Sequence, residues 1–158
     1  MKTVIIGIDS GASGGVAIIF PNGEAQASPI GSVSDLCEVF KDAIRHSEKS
    51  GYFIEAVLEE VTGYIGGKPQ PASRSFVLGK SYGAIIGLLI GLEIPFRTVR
   101  PQKWQSGLSG VKGLSYAQRK RKLKDYAVQM YPHLKPTLKT ADAILIANFW
   151  KGVLSHEA

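Results

Sequence analysis

The sequence has a single cysteine, Cys37, and only three histidines, His46, His133 and His156, far apart in the chain. One cysteine excludes an intrachain disulfide and a cysteine-based zinc site, and scattered histidines argue against a histidine-rich metal centre. Long apolar runs are also lacking. The longest, Ala84 to Leu92, falls well short of the roughly 20 residues that cross a bilayer, so no membrane partner is expected. No leader pattern opens the chain, whose third residue already begins a β-branched run. Acidic residues are nearly missing from one stretch. Between Thr62 and Lys124, Glu93 alone faces twelve Lys and Arg, whereas the rest of the chain holds seven basic and twelve acidic residues. The net charge of +6 therefore hides a strongly basic segment, which suits either a positive face for a polyanion or a solubilising surface.

What is present suffices for a packed core. A chain of 158 residues, 44% hydrophobic and 20% charged, is the size of one domain. Thr3–Asp9 (TVIIGID) reads as a buried strand. Val16–Phe20 and Glu24–Ile30 follow, set off by the glycine-rich turn Ser10–Gly15 and by Pro21-Asn22-Gly23, and complete an antiparallel meander. Ser32–Ser50 carries Val33, Leu36, Val39, Phe40, Ala43 and Ile44 at helical spacing, with Gly51 as the stop. A fourth strand (Tyr52–Val61), a glycine- and proline-rich loop (Thr62–Pro71), a long helix (Ser73–Leu92) and a fifth strand (Ile94–Val99) succeed it. Pro101 opens a short helical turn, and Ser106–Leu114 is a basic loop. Ser115 caps a helix, with Gln118 at the capping-box position and Tyr116, Leu123, Ala127 and Met130 as its buried stripe. Thr140 caps the last helix, Ala141–Lys151. This order predicts an α/β fold: one domain over residues 1–158, with a mixed five-stranded sheet covered by helices. In the long helix Gly79, Gly83, Gly87 and Gly91 recur every fourth residue. Each weakens the helix by about 1 kcal/mol relative to alanine, which implies close backbone approach, either to the sheet or to a second subunit.

Three places offer chemistry. Asp9 ends the first strand just before the glycine-rich turn, where an acid either emerges from the core or starts the turn. Glu59 and Glu60 lie in an otherwise apolar strand, so one faces each side of the sheet. A buried carboxylate is costly unless it is partnered or bound to a cation. Asp142 falls in the first turn of the last helix, where the dipole also favours an acid. If Asp9, Glu59 and Asp142 converge, their oxygens suit Mg²⁺ or Mn²⁺. Two such ions would activate a water and stabilise the leaving oxygen of a phosphodiester. An acidic pocket inside a basic surface is what a nuclease needs.

The segments Ile5–Ile18 (IIGIDSGASGGVAI), Ala56–Val61 (AVLEEV), Ser75–Leu89 (SFVLGKSYGAIIGLL), Val99–Gln105 (VRPQKWQ) and Ala141–Ala147 (ADAILIA) together resemble the RuvC-type Holliday junction resolvases of the ribonuclease H-like fold, especially phage and plastid versions. The resemblance implies that Asp9, Glu59 and Asp142 bind two Mg²⁺ or Mn²⁺ ions, with Glu60 in the position of the family's Gln. It implies a homodimer that makes paired symmetric nicks across a four-way junction, leaving 5′-phosphate and 3′-hydroxyl ends. Lys139 and Leu138 stand where the family usually places Asp or His. This leaves either a weaker second ion site or a contact of Lys139 to the scissile phosphate. Arg74, Ser75, Lys80, Lys103, Lys112 and the run Arg119, Lys120, Arg121, Lys122 are the candidate phosphate contacts, the run being otherwise a solvated helix face. Tyr64 or Phe76 would stack on a base, Phe76 being otherwise expected in the core, while Trp104 is expected to pack. The compartment implied is the cytoplasm of a bacterial or phage-infected cell, or an organelle after loss of a leader. The motif GIDSGASGG (Gly7–Gly15) is also similar to the phosphate loop of the actin and sugar-kinase fold, but that fold needs a far longer chain, and no nucleotide cofactor is expected. A junction-binding protein that does not cut, and a nuclease for flaps, forks or RNA hybrids, are the remaining alternatives.

Overall fold

The computed structural model describes residues 1–11, 13–65 and 68–157. Ala12 of the glycine-rich turn and Gly66-Gly67 of the following loop lie outside them. Strands β1 (Thr3–Asp9), β2 (Gly15–Ile19) and β3 (Ala25–Pro29) form the expected antiparallel meander. Helix α1 (Val33–Ser50) begins at a capping box made by Ser32 and Asp35 and ends on Gly51 in the left-handed region (φ 65°). Strand β4 (Phe53–Glu59) returns parallel to β1, with Ile8 opposite Leu58. A two-stranded ribbon, β5 (Tyr64–Ile65) and β6 (Lys68–Pro69), occupies what the sequence suggests is plain loop. Helix α2 (Ala72–Gly91) leads to β7 (Phe96–Val99), which pairs parallel with β4. The five long strands order as β3-β2-β1-β4-β7. Short helix α3 (Pro101–Gln105), α4 (Tyr116–Met130, capped by Ser115 and Gln118 as expected), a 3₁₀ turn at Pro132–Leu134 and α5 (Ala141–Glu157) complete the chain.

Strand alternation divides the core into two layers. Odd-numbered residues Ile5, Ala17, Ile19 and Val57 face α5 and α4, packing with Trp104, Leu123, Ala127 and the buried run Ala141–Ala147. Even-numbered Val4, Ile6, Ile8, Ala56 and Leu58 face α1 and α2, packing with Leu36, Phe40, Ile85 and Leu89. This parity decides the site. Asp9 and Glu59 continue the odd set toward α5, and Glu60 belongs to the other face.

Several local expectations need correction. On α4 only Leu123 and Ala127 are buried, while Tyr116 and Met130 are largely exposed, because the helix touches α5 along a narrow seam. The last helix runs on to Glu157. The Thr140 hydroxyl accepts from the Thr137 N–H behind it. On α2, a Cβ built at Gly79, Gly83, Gly87 or Gly91 would meet nothing within 4 Å among the described residues. The glycine row therefore does not approach the sheet; it lies on the exposed side of the helix.

Candidate active site

The parallel β1–β4 pairing places Asp9 and Glu59 next to each other at the carboxyl ends of adjacent strands, with strands of a sheet spaced about 4.8 Å apart. Helix α5 crosses this end of β1 so closely that Asp142, in its first turn, is brought to the same place. The three acids line one cleft of about 1290 Å³ together with Glu60, Arg74, Arg100, Arg119 and Lys120. Asp9 and Asp142 are buried, at 8% and 6% exposure.

Burial, with Asp9 as neighbour, pushes the Glu59 carboxyl up to about 8, against the lowering effect of a hydrogen bond from Trp104. Burial and then Asp142 raise Asp9 also, while Lys120 and the Gly11 N–H work in the opposite direction. The Trp104 indole Nε1 donates to Glu59 Oε2 at 2.7 Å. The Lys120 Nζ donates to Asp142 Oδ2 at 2.5 Å. Burial pulls the Lys120 ammonium down, but Asp142 and Asp9 outweigh it and its pKa is raised overall. The other Asp142 oxygen, Oδ1, is buried with no hydrogen-bond partner among the described residues. On the opposite side of the strand, Glu60 Oε2 accepts from Arg100 Nε at 3.1 Å.

A divalent cation fits this donor set. Three carboxylates supply hard oxygens, one oxygen is orphaned, and two of the acids are held above their ordinary pKa by burial and by each other. Among the described residues, however, no group of three or more His, Cys, Asp or Glu is arranged to hold a metal ion as it stands. The positive charge already present is that of Lys120.

The pKa shifts have a consequence for stability. The Glu59 carboxyl ionises near 4.5 in an unperturbed chain and at about 8 in the fold, so between those values the folded state holds a proton that the unfolded state has lost. That contribution is complete below about pH 4.5 and is lost as pH rises through about 8. In a chelator, Tm should fall across this interval, and Glu59→Gln should flatten the fall. A Tm that climbs over the same range would refute burial of Glu59 as the cause.

Of the basic candidates, Arg74, Arg119 and Lys120 line the cleft. Lys80, Lys103, Lys112, Arg121 and Lys122 are exposed outside its lining, and Ser75 is half-buried. Lys122 lies over the Tyr126 ring at 5.6 Å. Lys139 and Leu138 are exposed and do not line the cleft. Phe76 is 71% and Tyr64 62% exposed, so neither is a core residue. Trp104 is buried as expected, but its indole also orients Glu59, a role the sequence did not suggest. A signal existed: Trp104 follows β7, whose Val99 pairs with Glu59. The sequence offers no signal for Arg100, and Lys120, one of the run of candidate phosphate contacts, donates to Asp142 inside the acidic pocket.

No family model matches the sequence, and no curated protein matches it. Among solved structures, the chain is similar to T. thermophilus RuvC in complex with Holliday junction substrate. That likeness has a TM-score of 0.53 and 15% identity, over 96% of this chain and 96% of that chain. It is also similar to a Thermus thermophilus RuvC structure (TM-score 0.49, 16% identity, 95% of this chain and 96% of that chain). The first likeness shows the fold: a RuvC-type, ribonuclease H-like α/β domain with a mixed five-stranded sheet flanked by helices. The resemblance drawn from the sequence is borne out at that level.

Proposed function

We propose that the protein is a metal-dependent endodeoxyribonuclease that resolves four-way DNA junctions by paired symmetric nicks, leaving 5′-phosphate and 3′-hydroxyl ends. The observation that carries this reading is the gathering of Asp9, Glu59 and Asp142, with an orphaned carboxylate oxygen, in a cleft whose rim carries Arg74, Arg100 and Arg119. The RuvC-type fold supports it, and the neighbour with that fold is described in complex with Holliday junction substrate.

In this reading Asp9, Glu59 and Asp142 hold Mg²⁺ or Mn²⁺, which when bound supplies an activated water and neutralises charge on the leaving oxygen. The chain's own residues do the rest. Trp104 fixes the Glu59 carboxylate through its indole N–H. Arg74, Arg100 and Arg119 line the cleft and would contact phosphates along it. Exposed Tyr64 and Phe76 offer rings on which an unpaired base can stack. Paired nicking needs two sites, and the open glycine row of α2 is the face on which a second copy would pack. Junction binding without cutting is the second reading, favoured by the ammonium that already sits on Asp142.

The test is digestion of a synthetic four-way junction beside a linear duplex of the same sequence, in Mg²⁺ and in a chelator. We expect symmetric nicks in the junction alone and only with Mg²⁺. Binding with no cutting in any divalent ion would select the second reading. Equal cutting of flaps, forks or RNA hybrids would replace junction specificity with a broader one.

A further inference from the structure

We infer that Lys120 is the resident cation of the carboxylate pocket, and that its ammonium must withdraw from Asp142 before a divalent ion can bind there. The inference rests on the reading of Asp142 as an ion ligand. Oδ2 is taken by the Lys120 Nζ at 2.5 Å, and Oδ1 is shut off from solvent, with no partner among the described residues. The pair is sequestered, with side-chain exposures of 19% for Lys120 and 9% for Asp142, so solvent screens it poorly. An ion and an ammonium that share one buried carboxylate repel each other at short range.

The residue type suits displacement. A lysine carries a compact charge on a flexible four-carbon stem. The root of that stem is fixed, since Lys120 lies in the second turn of α4, behind the capping box of Ser115 and Gln118. Its neighbour Arg119 lines the same cleft, so a phosphate entering there would find the Lys120 head within the reach of its stem. A phosphate that takes the ammonium frees Asp142, and DNA and the divalent ion then load cooperatively. The pocket would stay poorly charged with metal until nucleic acid arrives.

The experiment is Mn²⁺ titration of the DNA-free full chain, read by calorimetry and by loss of the free-ion spin signal. Lys120→Gln should bind Mn²⁺ about tenfold or more tightly than the parent chain, whereas Lys120→Arg, which keeps the charge, should show no gain. Unchanged or weaker binding in Lys120→Gln overturns the inference. Asp142→Asn provides the separate check. If it binds Mn²⁺ as the parent does, the ligand reading itself has failed; if it binds more weakly while Lys120→Gln gains nothing, only the displacement has failed. A measurement on the unaltered chain covers the case of a variant that does not fold. Acetylation of lysines, mapped by mass spectrometry, should modify Lys120 faster when Mn²⁺ is present. Constant or slower modification overturns the inference as surely.

Discussion

Asp9→Asn, Glu59→Gln and Asp142→Asn should each lower the rate of junction cutting by at least about three orders of magnitude, with junction binding in a chelator left nearly unchanged. The three side chains lie at the floor of the cleft and carry the charge that would hold the ions, while the DNA contacts proposed here come from its rim. Their effects on metal-free stability should differ, and the difference tests the electrostatics independently of catalysis. Glu59 is held protonated well above its ordinary range by burial and by Asp9. Its replacement by Gln removes a buried acid that resists ionisation, and should stabilise the chain by on the order of 1–3 kcal/mol at pH 8. Asp142→Asn goes the other way, because it leaves the Lys120 ammonium in the pocket without its partner; a loss of about 1–3 kcal/mol is expected. Gel assays of cutting and binding, with thermal unfolding in a chelator, measure all of this. Normal cutting by all three variants would remove the site assignment, and equal stability changes would remove the account of the pocket's charges.

The two periodicities explain what was legible in the sequence. The β-branched run of β1 and the spacing of Leu36, Phe40 and Ala43 in α1 fix element types, and the glycine and proline signals fix where they end. Alternation along β4 predicts that Glu59 and Glu60 part company, as they do: one joins Asp9, the other meets Arg100. Two kinds of information were not legible. The first is which side of a helix a charged run presents. Arg119, Lys120, Arg121 and Lys122 look alike as residues, and only the crossing of α4 over α5 turns Lys120 inward onto Asp142 and leaves Arg121 and Lys122 outside. The second is what an open row of glycines is for. Spacing along α2 signals close approach, yet only the fold shows that none of the described residues of this chain approaches.

The fold and the site meet at Gly7, and Gly7→Ala should strongly destabilise the chain. Gly7 faces α5 from the middle of β1. A Cβ there would lie 2.3 Å from the Ala143 carbonyl oxygen and 2.6 Å from the Ala147 nitrogen, both backbone atoms of α5. A side chain could rotate away from such a contact; a helix backbone must move as a body, and it is wedged against β1 and β2 by the buried run Ala141–Ala147. Overpacking in a core costs about 1–3 kcal/mol and occasionally more, and this clash belongs at or above the upper end. The variant should unfold, or survive with α5 lifted off the sheet. Asp142 immediately precedes Ala143, so lifting the helix also carries one carboxylate away from the other two, and any folded remainder should bind Mn²⁺ weakly. Gly152→Ala, in the same helix, is the control. A Cβ there meets nothing within 4 Å, and exchanging a helical glycine for alanine should stabilise the chain by up to about 1 kcal/mol. Thermal unfolding of the two variants side by side separates contact with β1 from a general intolerance of α5 to substitution. A Gly7→Ala chain as stable as its parent would mean that α5 does not cross β1 at this distance, and the convergence of Asp142 with Asp9 and Glu59 would lose its structural basis.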